Sequence, residues 1–440
     1  MPKSKPPRRR SSSGAAPKKK AAAPRPVVPP PARLSQPGVA AKEPQFGETK
    51  FTPDPTQFLT AVTDKPYFKL TDKETANQLI QSIPAPRTPN NLLMTLASAF
   101  GSSGPAKIAA IQEAQQIVFH AVGDTGSTVG PKTIEEVADK MCADLQEADP
   151  ADAPAFFFHL GDVVYDFGED DYYYDQFFAP YRDYNAPIVA IPGNHDGEVY
   201  PGDPSGSLLA FQKVFCSSQF QMLPEAHGLA RTSMMQPGVY FALDAPFVRI
   251  IGLYSNVLED PGVISSENGT YPRVSDVQIS FLTDQLNLIK SSGFPGAVIV
   301  AVHHPPQCVG RHGSSPSMLK EMDSCFSDTG VYPHAVLSGH AHNYQRFTRI
   351  EPGRETPFVV AGMGGHSSQP PFGKLVSPPR PPFAMGEFQC ENYSQNYGYL
   401  RVVVTPQQLR IEFHDATTGL ASKSPSDVVA VDLASHQIVT

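Results

Sequence analysis

The stretch HLGDVVYDFG, residues 159–168, closes an apolar strand with Asp162 and places Tyr165 three residues later. A tyrosine at a strand end is ordinary. The alternative is that Asp162 and Tyr165 hold the same metal ion, and the sequence around them decides between the two. Upstream, AQQIVFHAVGD is an apolar strand followed by TIEEVADKMCADLQEA, whose Ile134, Val137, Met141 and Leu145 share one helical face. PAFFFHLGD is the next strand, DYYYDQFFAPY predicts an aromatic helix, and APIVAIPGNHD is a third strand. The alternation resumes with VQISFLTDQLNLIKSS and SMLKEMDSCF as helices and GAVIVAVHHPP and HAVLSGHAH as strands. GVYFAL with FVRIIGLYS, and YLRVVVTPQQLRIEFHD, alternate like antiparallel hairpins. This order predicts an α/β domain with two stacked sheets and helices outside. In such folds ligands bind beyond the carboxyl ends of strands.

Five strand ends carry metal-ligand chemistry: GDTG at 123–126, GDVVY at 161–165, GNHD at 193–196, AVHHP at 301–305 and GHAH at 339–342. A Gly-Asp pair after a strand is by itself a common turn. Five such segments, each ending an apolar strand, point jointly to a metal site. The candidate donors are Asp124, Asp162, Tyr165, Asn194, His303, His340 and His342. One zinc ordinarily takes four ligands, so this set fits two ions better, with one carboxylate bridging. Asp162 suits the bridge because it offers two acceptor oxygens. Mixed oxygen and nitrogen donors without a thiolate suit Fe, Mn or Zn.

These motifs resemble those of the purple acid phosphatase branch of the calcineurin-like metallophosphoesterases: GDxG, GDxxY, GNH with an acid, VxxH and GHxH. The resemblance covers roughly residues 116–415 and implies a four-layer α/β/β/α metallophosphoesterase sandwich. It also gives Tyr165 a role. Most members open with Asp-x-His, whose histidine binds the first metal. Here Gly126 stands in that place, and Tyr165 resembles the phenolate that replaces it. The resemblance implies Fe(III) on Asp124, Asp162, Tyr165 and His342. A divalent ion (Fe, Zn or Mn) would sit on Asp162, Asn194, His303 and His340. His303 rather than His304 is the expected ligand, since the family pattern there is H-x-P. His195 matches the family histidine that contacts phosphate and would protonate the leaving group. Asp196 could orient that ring, and His312 resembles another phosphate-facing histidine. The activity implied is hydrolysis of phosphate esters, most of all monoesters. A phosphodiesterase with the same metals is one alternative, and a non-catalytic binding protein is the other.

The remaining sequence bounds the setting. Residues 1–42 carry eleven Lys or Arg and no acid, leaving 24 basic against 43 acidic residues in the rest of the chain. This Pro/Ala/Lys-rich tail is expected to be disordered and to give weak electrostatic contact with nucleic acid or an anionic surface. Residues 43–115 read as an irregular, partly helical extension, with helices in LTDKETANQLIQSI, capped by Thr71 or Asp72, and in NNLLMTLASAF. Residues 116–440 read as the catalytic domain. No apolar run is long enough to span a bilayer, and the start lacks the apolar region of a signal peptide. Together with five cysteines and no CxxC pair, this leads to the expectation of a cytoplasmic protein with free thiols, one local pair between Cys308 and Cys325 being the exception left open. His120 and His159 read as packed strand histidines. His366, closing the GMGGH loop, is a candidate for the mouth of the site.

Overall fold

The computed structural model describes residues 38–47, 80, 82–89, 92–128, 130–198, 206–368 and 379–439. The basic tail through residue 37 and residues 71–79 of the expected capped helix lie outside them.

Two mixed sheets carry the fold. The first has nine strands in the spatial order Phe383–Met385, Phe388–Ser394, Tyr344–Glu351, Arg354–Ala361, Ala335–Ser338, Ala297–Val302, Val248–Leu253, Phe241–Ala245 and Leu93–Thr95. The second has seven: Gln437–Val439, Asp427–Asp432, Gln408–Asp415, Gly398–Val404, Ile117–Val122, Phe157–His159 and Ile188–Ala190. Every residue of the inner strands Ile117–Val122 and Ala297–Val302 is buried, which is why both read as apolar runs, the first broken only by His120. The sheets meet face to face through apolar side chains. Phe158 stacks on Phe241 with ring centres 6.1 Å apart, and Tyr344 on Phe413 at 4.3 Å. Gly252 comes so close to the opposite sheet that a Cβ there would lie 2.6 Å from Ile191.

Helix Lys132–Asp144 buries Ile134, Val137 and Met141 and lies against Gly398–Val404 of the seven-stranded sheet. Val277–Ser292 and Pro316–Thr329 pack together on the other sheet, where the former meets Val248–Leu253. The result is the expected layering of helices outside two sheets. No helix among the described residues is long and apolar enough to cross a membrane.

Parallel pairing sets the site. Val122 pairs with His159, and His159 with Ala190, so Asp124, Asp162 and Asn194 leave the second sheet side by side. In the first sheet Leu253, Val302 and Ser338 end strands that also run parallel, and His303 and His340 follow two of them. The two groups of strand ends therefore open onto one edge.

Two local readings need correction. Leu93–Thr95, expected within an apolar helix, is an edge strand parallel to Phe241–Ala245. Only Leu96–Ala99 is helical, capped by the Thr95 side chain. The open sheet edge, where Leu92 accepts from the Ala242 N–H at 2.8 Å, outweighs the helical preference of a short apolar run. The aromatic segment after Gly168 is not a regular helix either: it forms a 3-10 turn at Asp170–Tyr172 and a π turn at Tyr174–Phe178. Gln176 lies within this π turn, and its buried amide accepts from the N–H groups of Tyr165 and Ser127 and donates to the Tyr165 carbonyl; π turns of this kind are frequent at functional sites.

All five cysteines are free, so Cys308 and Cys325 do not pair. Away from the site, Glu412 accepts from Arg410 (2.6 Å), His414 (2.9 Å) and Arg401 (3.3 Å). Burial opposes its charge, but these donors hold its carboxyl down to about 2. A depressed acid stabilises the fold above its unfolded pKa and loses that contribution as pH falls through the folded value. Glu412→Gln is therefore expected to cost about 1–2 kcal/mol at neutral pH. The cost should fade as pH drops from about 4.5 to about 2, read by denaturant unfolding.

Candidate metal centre

The opening question has a backbone answer. A strand would send residues 162 and 165 to opposite faces, but the strand ends at His159. Gly161 and Asp162 then adopt φ of +98° and +55°, turning the chain out of the sheet so that the Tyr165 ring folds back. Asp124 and His340 turn at φ +57° and +66° in the same way, a backbone conformation that costs non-glycine residues about 1–2 kcal/mol. The loops brace one another: Asp124 N–H donates to Gly161 O, Thr125 N–H to Asp162 O, and Gly339 N–H to His303 O.

The Tyr165 hydroxyl lies 2.8 Å from Asp162 Oδ2, 3.1 Å from Asp124 Oδ1 and 3.4 Å from His342 Nε2. His303 Nε2 approaches the same oxygen, 3.4 Å from Asp162 Oδ2, so one oxygen rather than two faces both donor groups, and Oδ1 is taken by the His195 N–H. Asn194 Oδ1 sits 3.1 Å from both His303 Nε2 and His340 Nδ1. All seven sequence candidates are thus brought together, with relative exposures between 0% and 7%. His303 Nδ1 faces the Leu160 carbonyl at 2.8 Å and His342 Nδ1 the Ser367 carbonyl at 3.0 Å. Donation there leaves each Nε2 as an unprotonated donor atom facing the cluster. His304 instead uses both nitrogens elsewhere, on Ser255 Oγ and Leu258 O, each at 2.7 Å. His159, likewise, is taken up by Thr125 Oγ1 and the Gly161 N–H.

Gly126 explains why a glycine stands beside this tyrosine. A Cβ at 126 would lie 2.8 Å from the Tyr165 ring and 2.4 Å from Gln176 Oε1. The tyrosine fills the space that a side chain from 126 would need, so the two positions are sterically coupled. Gly126→Ala is expected to destabilise the protein by about 1–3 kcal/mol through overpacking and to weaken metal retention, measured by thermal unfolding and by metal content after dialysis.

The electrostatics fit a cation. Burial raises the Asp124 carboxyl well above the usual range, and neighbouring Asp162 adds to the rise. Burial also works against a charged Asp162, but His303 and His195 hold it low. Burial, then the two carboxylates, push the Tyr165 phenol far up. Burial and facing imidazoles keep His340 and His342 neutral. Such a knot of oxygen donors is costly without a compensating positive charge. Donor atoms of Asp124, Asp162 and His303 lie within 4.8 Å of one another. Asn194 Nδ2 has no hydrogen-bond partner. Oxygen and imidazole donors without a thiolate match hard and borderline metals.

Around the knot, His195 donates its backbone N–H to Asp162 Oδ1 at 2.9 Å, and its Nδ1 meets the Asp166 carbonyl at 2.8 Å. Burial disfavours a charged ring here. Glu198, Asp162 and Glu259 outweigh it and push His195 up to about 10. Asp196 has a different task from the one expected: its carboxylate accepts from the N–H groups of Gly193, Val163 and Val164, stapling the GNHD loop to GDVVY. The Asp166 carbonyl holds the His195 ring instead. His312 is buried, with its ring centre 4.3 Å from that of His340 and 5.8 Å from that of His342, and neither of its nitrogens has a hydrogen-bond partner among the described residues. His366 stacks on Tyr165 at 3.8 Å and 11°. Two acids went unnoticed in the sequence: Glu198, 3.8 Å from His195 Nδ1, and Asp260, beside His312 and His340. Both lie in loops where a carboxylate carries no periodic or spacing signal.

Comparison with solved structures finds the purple acid phosphatase PPD1 from yellow lupin (Lupinus luteus) seeds, 16% identical over 72% of this chain, with a TM-score of 0.50. The match spans 54% of that enzyme, so this chain corresponds to about half of its length. GAP50, the anchor in the inner membrane complex of Plasmodium, is 13% identical over 71% of this chain and 87% of its own, with a TM-score of 0.46. PhoD is 13% identical over 74% and 72%, with a TM-score of 0.43. Comparison with curated proteins gives no match. Residues 117–344 match the calcineurin-like phosphoesterase family model, and residues 356–422 match that of the iron/zinc purple acid phosphatase-like protein C-terminal region. The chain belongs to the calcineurin-like phosphoesterases, and within them carries the C-terminal segment of the purple acid phosphatase type.

Proposed function

We propose that this protein hydrolyses phosphate esters, monoesters foremost, at two metal ions held between the strand ends. The observation that carries this reading is the position of Asp162 Oδ2, a single oxygen 2.8 Å from the Tyr165 hydroxyl and 3.4 Å from His303 Nε2. One carboxylate thus joins two groups of donors. Asp124, Asp162, Tyr165 and His342 would hold Fe(III); Asp162, Asn194, His303 and His340 would hold a divalent Fe, Zn or Mn. Bound there, the ions supply Lewis acidity toward the phosphoryl oxygens and toward the attacking water.

The chain's own residues do the rest. Tyr165 would contribute a hard phenolate oxygen as a donor, its ring clamped by His366. His195, kept protonated by its acidic neighbours, is placed to donate to the oxygen of the departing alcohol. His312, with its nitrogens unengaged, offers a second contact to phosphate. Asp196 acts on the backbone of the ligand loops rather than on substrate. The division into a tail (1–42), an extension (43–115) and a catalytic domain (116–440) belongs to the same proposal, as does a cytoplasmic setting, which the five free thiols support. The tail's charge supports weak binding to nucleic acid or anionic surfaces; such binding should fall steeply with salt.

The test is turnover of an aryl phosphate monoester against a bis-aryl phosphate by the metal-loaded protein. The monoester should be the better substrate by kcat/KM, and His195→Ala should lower its rate about 10²–10⁴-fold. Preference for the diester would favour the phosphodiesterase reading, and turnover of neither would favour a binding protein.

A further inference from the structure

Asp260 is a carboxylate that no motif led to, and its two oxygens face two histidines of the site. Oδ2 is 3.5 Å from His312 Nδ1, and Oδ1 is 3.6 Å from His340 Nε2. Oδ1 also accepts from the Gly313 N–H at 3.2 Å, which ties Asp260 to the loop that carries His312. The histidines meet it with unengaged atoms: His340 Nε2 and both His312 nitrogens are buried without hydrogen-bond partners among the described residues. His340 turns its other nitrogen, Nδ1, toward Asn194. A single carboxylate therefore lies behind a metal-facing imidazole and beside a substrate-facing one. Both separations are a few tenths of an ångström beyond hydrogen-bond length.

We infer that Asp260 is a positioning residue that sets the tautomer of His340 and the orientation of His312 together. Accepting a hydrogen bond from the His340 Nε2–H keeps the proton there and leaves Nδ1 as the donor atom toward the metal, the carboxylate–histidine–metal arrangement that raises ligand basicity. Accepting from His312 Nδ1 aims the opposite nitrogen of that ring away from Asp260. The two interactions share one rigid group, so metal retention and phosphate binding should weaken together when it is altered. Asp260 is not itself a ligand in this assignment, because the His340 atom it faces is the one turned away from Asn194. The inference rests on the metal-centre reading above.

The experiment compares the full-length protein with Asp260→Asn and Asp260→Glu. Asparagine keeps the shape but loses the charge and one acceptor. It is expected to weaken affinity for the divalent ion about 10–100-fold, measured by chelator competition, and to weaken inorganic phosphate binding to the metal-saturated protein, measured by calorimetry. Two ions should still bind at saturation. Asp260→Glu should recover part of both losses, which a merely structural defect would not do. Wild-type affinities for metal and phosphate in Asp260→Asn would overturn the inference, as would loss of one ion even at saturation, which would make Asp260 a ligand. If wild-type protein itself bound no metal, the metal-centre reading would fall first, so the two failures are distinguishable.

Discussion

Asp162→Asn is expected to lower kcat/KM for an aryl phosphate monoester by about 10³-fold or more and to leave fewer than two ions per chain. The substitution removes one oxygen donor and a full negative charge from the point where both donor groups meet. Stabilisation by metal ions in phosphoryl transfer is worth several kcal/mol, and each 1.36 kcal/mol is a factor of ten in rate. The loss should spread beyond chemistry. Asp162 also accepts the His195 N–H and lies 3.4 Å from His303 Nε2, so both neighbours lose a partner. Metal content, kcat/KM and thermal unfolding measured on one preparation would check all three effects. Retention of two tightly bound ions with near-normal turnover would remove Asp162 from the bridge.

The second large effect is expected at Tyr165→Phe. A phenolate on Fe(III) absorbs visible light by charge transfer from ring to metal, and phenylalanine cannot, so the band should vanish entirely. Activity should fall by at least about 10–100-fold, the loss typical when even an outer partner of a metal ligand is removed. The fold should survive, because the ring still fills the space against Gly126 and His366. A wild-type protein that is active but colourless, loaded with zinc or manganese, would keep the fold and the site while removing iron from it. A variant that keeps the band would exclude Tyr165 as its source.

The sequence carried the site better than the edges of the fold. Asp124, Asp162, Asn194, His303 and His340 were readable because each ends an apolar run, and parallel pairing in two sheets brings such ends to one place. The turn that recruits Tyr165 was readable as a need, since nothing else would bring it back to Asp162; the φ values at 161 and 162 meet that need. The choice of His303 over His304 came from a family pattern. Its physical basis, the Ser255 and Leu258 contacts of His304, depends on a loop some fifty residues away. The same holds for Asp196, whose partners Val163 and Val164 lie more than thirty residues upstream. Gln176 looked like an ordinary residue within an aromatic helix until its amide met the backbone of Tyr165. Leu93–Thr95 became a strand because a sheet edge was waiting for it, and that edge is built from residues 150 positions later. Long-range polar partners are what local pattern omits.

The most direct test of the central claim is a count of metal ions in the purified native protein, by elemental analysis paired with anomalous X-ray scattering that locates each ion. Two ions per chain are expected, one of them iron, with density between Asp162 and each donor group. A single ion, or ions lying away from Asp162 and Tyr165, would contradict it.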